Sequence, residues 1–139
     1  IDMILNAFNV CVNTLDIAVY CFNNTTIADC ISKRVKDGVR VRLIVEESKV
    51  RELPSTITQL LGGNLFSAKK LRGSGRFGLM HHKFAIVDGM CVQSGSYNFT
   101  NNAEGFSFEN FVQMPTPDVV DRFSDEFLHM WNESTDITR

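Results

Sequence analysis

Two apolar runs, FAIV and MCVQ, meet at Asp88-Gly89, and no other feature of this 139-residue chain restricts its fold as tightly. Asp-Gly favours a type I′ turn, because both central positions take positive φ, which costs glycine nothing. A two-residue loop would set Val87 opposite Met90, His81 opposite Ser96 and Lys83 opposite Ser94. Side chains alternate along a strand, so His81, Lys83, Ser96 and Asn98 are predicted on one face, with His82, Phe84 and Ile86 on the other. A lysine, a hydroxyl and a carboxamide beside a histidine can hold the non-bridging oxygens of a phosphate while the imidazole attacks phosphorus. The same face is also what a solvated sheet surface looks like. The parity makes His82 a core or second-face residue. It gives Asp88 a conformational first task, holding the turn or a nearby cation.

The rest of the chain supplies a frame for this hairpin. Ile1, Ile4, Leu5, Phe8 and Val12 recur at helical spacing, which predicts an amphipathic helix over 1–13. LDIAVYCF at 15–22 reads as a buried strand. Asn24 or Thr25 caps a helix running to Lys36 with Ile27, Cys30, Ile31 and Val35 inward, and Gly38 stops it. VRVRLIVEE at 39–47 alternates as a strand, completing a βαβ unit with parallel strands. Pro54 opens a helix carrying Ile57, Leu60 and Leu61 and ending at Gly62-Gly63, and KKLRGSGRFG at 69–78 reads as a loop. Thr116-Pro117 opens a last helix with the stripe Val119, Val120, Phe123, Phe127, Met130 and Trp131. The predicted fold class is α/β, a mixed, mostly parallel sheet sandwiched by helices.

An apolar fraction of 44% supports one domain over 1–139, and a net charge of -2 argues against a surface uniformly basic for indiscriminate nucleic-acid binding. Cys11, Cys21, Cys30 and Cys91 lack the close pairs of zinc or redox motifs and read as buried thiols in a reducing, intracellular compartment. His81 or His82 with Asp88 makes a poor metal site, since adjacent histidines face opposite ways without a further cluster nearby. No apolar stretch approaches the roughly 18 residues of a membrane span. The chain begins abruptly, as if cut from something longer.

His81-x-Lys83, then Asp88, then Gly95-Ser96-x-Asn98 fits the HxK(x)4D(x)6GSxN signature without a gap, and on it the chain is identified as a member of the phospholipase D superfamily. MHHKFAIVD and EFLHMW resemble its Zucchini, or mitochondrial cardiolipin hydrolase, branch. GSYNFT with Glu109-Asn110 is similar to bacterial Nuc-type endonucleases. The resemblance implies one phospholipase D-like phosphodiesterase domain, lacking the family's first strand and any N-terminal membrane segment. It makes His81 the nucleophile, forming a phosphohistidine, with Lys83 and Asn98 holding phosphate oxygens and Ser96 supporting them. Glu109, in FSFENFV between Phe108 and Phe111, would be buried and orient the histidine. No cofactor and no metal are implied.

One motif supplies one histidine, whereas the two-step reaction needs a second group for the protons. The resemblance therefore implies a homodimer whose two copies of His81 meet across a two-fold axis. Lys69, Lys70, Arg72 and Arg76 precede the hairpin and are candidates to track a nucleic-acid backbone, while Phe66 and Phe77 could stack bases or lie in the core. The expected function is a metal-independent endonuclease on single-stranded RNA or DNA. The alternatives are hydrolysis of cardiolipin or a related phospholipid, and a non-catalytic nucleic-acid-binding module. Membrane contact would run through a segment outside this sequence. On the Zucchini-like resemblance, that segment would place the protein on the mitochondrial outer membrane, facing the cytosol.

Overall fold

The fold follows from which side chains each strand sends to which face, and a computed structural model describes it for residues 1–101 and 109–138. The strands are β1 (Thr14–Val19), β2 (Arg40–Glu46), β3 (Phe66–Leu71), β4 (Lys83–Val87), β5 (Cys91–Gly95), β6 (Phe111–Met114) and β7 (Thr135–Asp136). Among the described residues they form one sheet in the order β6-β5-β4-β1-β2-β3-β7. The sheet is mixed, as expected, but not mostly parallel: parallel pairing is confined to β1–β2 and β2–β3, and the other junctions are antiparallel because the hairpin and the chain ends return directly.

Helices α1 (Asp2–Val10), α2 (Thr25–Lys36) and α3 (Ser55–Thr58) cover one face, where Ile4, Phe8, Ile27, Ile31 and Ile57 meet Leu15, Ile17, Val41, Leu43 and Ala85. Helix α4 (Pro117–Glu133) covers the other, its Val120, Phe127 and Met130 packing on Ala18, Ile44, Phe84, Ile86 and Val92. Adjacent residues such as Phe84 and Ala85 thus serve opposite cores, as the period of two requires. Asn24 caps α2 by accepting from the Ile27 N–H at 2.9 Å, and Gly38, at φ 97°, carries the chain out of it.

Three further expectations need correction. The segment 69–78 is not all loop, because Lys69, Lys70 and Leu71 pair with Ile44, Val45 and Glu46 in β3. Lysines are tolerated there because only the two-residue β7 lies beyond, and the Lys69 ammonium sits 4.6 Å from the Trp131 ring centroid. The helix after Pro54 is a single turn, Ser55–Thr58, and the chain reaches Gly62 through further turns with Ile57 and Leu61 still buried. The third correction concerns register. Asp88 and Gly89 do take positive φ, 53° and 63°, and the Met90 N–H donates to the Val87 carbonyl at 3.0 Å. The ladder nevertheless pairs Val87 with Cys91 and Phe84 with Ser94, leaving Met90 as an extra, exposed residue.

The reason lies in Asp88. Its carboxylate accepts from the N–H groups of Asn13 (2.7 Å), Val12 (3.0 Å) and Thr14 (3.0 Å), and the Asp88 N–H donates to the Thr14 carbonyl at 2.8 Å. The turn is locked to the α1–β1 connection, and the residue after it takes up the mismatch. The conformational task expected of Asp88 is therefore fulfilled on backbone donors rather than on a cation. Burial raises the Asp88 carboxyl, but the donors from Asn13, Val12 and Thr14 outweigh it and hold the group below its ordinary 3.8. The buried Cys11 thiol, which donates to the same carboxylate, is pushed up to about 12, first by burial and then by Asp88.

Asp88→Ala should lower stability by about 1–3 kcal/mol, read as a lower urea midpoint at neutral pH, since it strips a charged acceptor from several backbone donors. A depressed folded-state pKa gives stability that is complete above 3.8 and is lost as pH falls through the folded value. The wild type and Asp88→Ala should therefore converge in acid, and a gap that stays constant with pH would contradict the clamp.

Candidate active site

Val19 of β1 pairs with Lys83 of β4, and the Tyr20 N–H donates to the His82 carbonyl at 2.9 Å. This junction forces Tyr20 and His81 together, with ring centroids 4.8 Å apart. Lys83 folds back over the same residue: its Nζ donates to the His81 carbonyl at 3.0 Å and lies 3.2 Å from Nδ1 and 3.4 Å from Nε2. That ammonium and the one on Lys49 each lie 5.6 Å from the Tyr20 ring centroid, an aromatic floor between two cations.

Electrostatics follow from this crowding. Burial, then the charges of Lys83 and His82, lower His81 below its ordinary 6.5. Its imidazole is therefore neutral at neutral pH, with a lone pair on one nitrogen. Burial lowers Lys83 as well, while the Glu109 carboxylate opposes that shift. Glu109 is thereby electrostatically part of this cluster.

Ser96 lies just beyond β5. Its hydroxyl donates to the Glu109 carboxylate and accepts from the Asn110 N–H at 3.0 Å. Gly95 makes this possible, since a Cβ there would stand 2.2 Å from the Asn110 carbonyl oxygen, which accepts from the Ser96 N–H at 3.0 Å. Glu109 departs from its expected setting. It is exposed and precedes β6, which starts at Phe111, and its carboxylate meets Ser96 where the imidazole was expected. The close approach at Gly95 draws 109–110 to Ser96. Phe108 and the remainder of 102–108, which carried the expectation of burial, lie outside the described residues.

Asn98 is held between two buried aromatics, Tyr97 and Phe99. Asn23 and Asn24 donate to the Phe99 carbonyl at 2.8 and 2.9 Å, and the Asn98 side-chain oxygen accepts from the Cys21 N–H at 3.3 Å. The carboxamide thus sits against the chain leaving Tyr20. His81 opens into a cleft of about 550 Å³ that is also lined by Arg72, His82, Glu126, His129 and Glu133. His82 is not a core residue: it is exposed, its ring packs 5.4 Å from Phe84, and it shares the cleft. Among the described residues, no group of three or more His, Cys, Asp or Glu side chains is arranged to hold a metal ion.

The basic candidates divide. Arg72 lines the His81 cleft, and Arg76 lines a neighbouring pocket with Leu79. Lys69 points to the α4 face, donating to the Trp131 carbonyl at 3.4 Å, 3.9 Å from Asp136. Lys70 alternates to the opposite face in β3 and is half-buried. Asp88 sits at the far end of the hairpin from His81. Phe66 is core, whereas Phe77 is 86% exposed.

Alignment to known proteins now has a geometry to explain. A family model described as "Cardiolipin synthase, PLD-like domain" matches residues 4–131. The chain belongs to the phospholipase D-like family. It is 31% identical over 119 residues to the mitochondrial cardiolipin hydrolase of Chlamydomonas reinhardtii, covering 86% of this chain and 52% of that protein. It is 31% identical over 121 residues to the one of Danio rerio, covering 87% and 52%. The chain thus spans about half the length of these relatives. The phospholipase D-like fold is shared with NucT from Helicobacter pylori (TM-score 0.89, 21% identity, 98% of this chain and 89% of that one). Nuc from Salmonella typhimurium superposes as well (TM-score 0.87, 23% identity, 99% and 90%).

Two residues of this phospholipase D-like site escaped sequence reading. Tyr20 lies outside the signature, and only the β1–β4 pairing reveals it. Glu46 is buried, and its carboxylate accepts from the Ser48 N–H at 2.6 Å and the Met80 N–H at 3.4 Å, fixing the residue before His81. The one available signal was a carboxylate ending an apolar strand. Tyr20→Ala should raise the His81 pKa toward its ordinary 6.5, because burial is the leading cause of its depression and truncating the ring admits water. An NMR titration of the imidazole reads this directly, and an unchanged midpoint would remove Tyr20 from the site.

Proposed function

We propose that the protein is a phosphodiester hydrolase working through a phosphohistidine, and that its substrate is single-stranded RNA or DNA. The observation that carries this reading is the His81 imidazole, 3.2 Å from the Lys83 ammonium at an open cleft. An imidazole kept unprotonated can attack phosphorus, and the adjoining ammonium stabilises the charge that grows on the phosphoryl oxygens. The Asn98 carboxamide, two residues beyond Ser96, supplies further donors, and the Ser96–Glu109 pair holds Lys83 charged against its burial.

In the first step a His81 ring nitrogen bonds to phosphorus, the P–O bond to the leaving group breaks, and the departing oxygen takes a proton from an imidazolium. In the second, water gives a proton to that imidazole and its oxygen bonds to phosphorus as the P–N bond breaks. We assign the proton work to the partner subunit's His81 in a two-fold homodimer, since one chain brings one motif, with the bound phosphate's negative charge favouring the protonated form of the copy that does not attack. An active monomer would instead hand that role to His82 or His129, which line the same cleft.

A strand is favoured over a lipid by the surroundings. Arg72 and Arg76 flank the cleft in a glycine-rich loop, placed to track a phosphate backbone, while the cleft walls mix charged side chains with Leu71, Leu79, Met80 and Met130. The second reading, cardiolipin hydrolysis, has support from the names of the relatives. Those names also support a mitochondrial link, and the outer membrane facing the cytosol is the finer location we propose from the Zucchini-like resemblance. No helix of the described residues is long and apolar enough to cross a membrane.

Cleavage of labelled single-stranded RNA or DNA should persist in EDTA, and His81→Asn should lower turnover by at least about a thousandfold without dissolving the dimer. Phosphatidic acid released from cardiolipin vesicles, with no strand cleaved, would move the assignment to the lipid. Strand binding without either turnover would leave a binding module. The acid limb of kcat/KM should lie below pH 6.5, because the depressed His81 pKa keeps the nucleophile unprotonated to lower pH. A limb at or above 6.5 would contradict that.

A further inference from the structure

Between β3 and His81 the chain forms a loop, RGSGRFGL at 72–79, whose construction is out of proportion to a mere connection. Its base is pinched by two glycines. A Cβ on Gly78 would stand 2.1 Å from the Ser74 carbonyl oxygen, and one on Gly73 would stand 2.6 Å from the Leu79 nitrogen. Gly75 at the tip takes φ 77°, and the Arg72 guanidinium donates across the loop to the Gly75 carbonyl at 3.3 Å. A closed loop of this kind presents its side chains in a fixed place. What it presents is Phe77, 86% exposed, more so than any other large apolar side chain among the described residues. The Arg76 guanidinium carbon lies 5.4 Å from its ring centroid.

The position is as telling as the exposure. Arg76, Gly78 and Leu79 line a pocket of about 220 Å³, and Leu79 and Arg72 continue into the cleft that holds His81. Phe77 lies between residues that line these two cavities, in the loop that leads into the reacting histidine. An exposed ring costs free energy in water unless something covers it in the working state. A bilayer would ask for several apolar side chains leading and the cations set back, whereas here one ring carries its cation directly upon it. A planar base finds in a phenylalanine and a guanidinium the paired surfaces on which unpaired bases stack.

We propose that Phe77 and Arg76 form a stacking platform for an unpaired nucleobase of a strand whose scissile phosphate lies at His81. This deepens the endonuclease reading and rests on it. The platform accounts for a preference for single strands, because a paired base has both faces covered by its neighbours. It predicts little choice among the four bases, since each offers a similar face.

The test uses the full chain, fluorescein-labelled single-stranded oligonucleotides, and the same oligonucleotides with one abasic position walked outward from the cut. Phe77→Ala should weaken strand binding by anisotropy and raise KM about tenfold with kcat little altered, and Phe77→Trp should restore both. One abasic position should weaken wild-type binding by a similar factor while adding nothing to Phe77→Ala, the non-additivity of two groups that touch. Equal affinity of wild type and Phe77→Ala at every position overturns the platform. A loss that Phe77→Ala shows only on cardiolipin-containing vesicles, by co-sedimentation, overturns it in favour of a lipid surface. Anisotropy separates the two failures: a strand bound through Phe77 but never cut sinks the endonuclease reading and leaves the platform standing.

Discussion

The antiparallel pairing of β4 with β1 is the constraint from which the site follows. β1 ends at Val19 level with the first residue of β4, so whatever follows one strand must meet whatever precedes the other. Tyr20 and His81 are those residues. The neighbouring segments then close around them, Asn98 through the Cys21 N–H, and Met80 through the buried Glu46 carboxylate. Ligand sites in open α/β sheets commonly gather at the carboxyl ends of parallel strands, and here the ends of β1 and β2 serve that purpose with an antiparallel hairpin as the third wall.

The site holds two basic groups against each other, an arrangement that water would not favour. Lys83 and His81 each lose part of their basicity to burial, and the Lys83 charge lowers the imidazole further. Glu109 moderates the lysine from the far side of Ser96, so the ammonium stays charged while the imidazole stays free. An anion entering between them would be met by donors already oriented, with no reorganisation required at the moment of reaction.

Much of this was legible in the sequence, for reasons that differ by residue. The Asp-Gly turn, the βαβ unit and the α4 stripe are each fixed by local chemistry, and all three stand where their patterns put them. His81 and Lys83 are in contact, Ser96 is linked to them through Glu109, and Asn98 sits against the chain leaving Tyr20, although the inferred register was one residue out. The irregular turn beyond Gly95 re-aims Ser96, so the strand parity that Met90 disturbs does not govern it. β3 was missed because its lysines read as polar, while their pairing with β2 is a tertiary decision. Tyr20 and the Glu109–Ser96 contact depend on segments far apart in the chain, which no local pattern encodes.

The Asp88 clamp bears on how such a chain is made. Its carboxylate and the Val12 N–H are 76 positions apart, so the contact closes a long loop and cannot form until more than half the polypeptide is available. Contacts of that span slow folding. A ribosome-bound chain therefore carries β1 and β2 as an unfinished sheet, with the edge of β1 open to pairing with another molecule until the hairpin emerges. Assembly of the sheet and assembly of the cleft are one late event, and a nascent chain holds no such cleft before it.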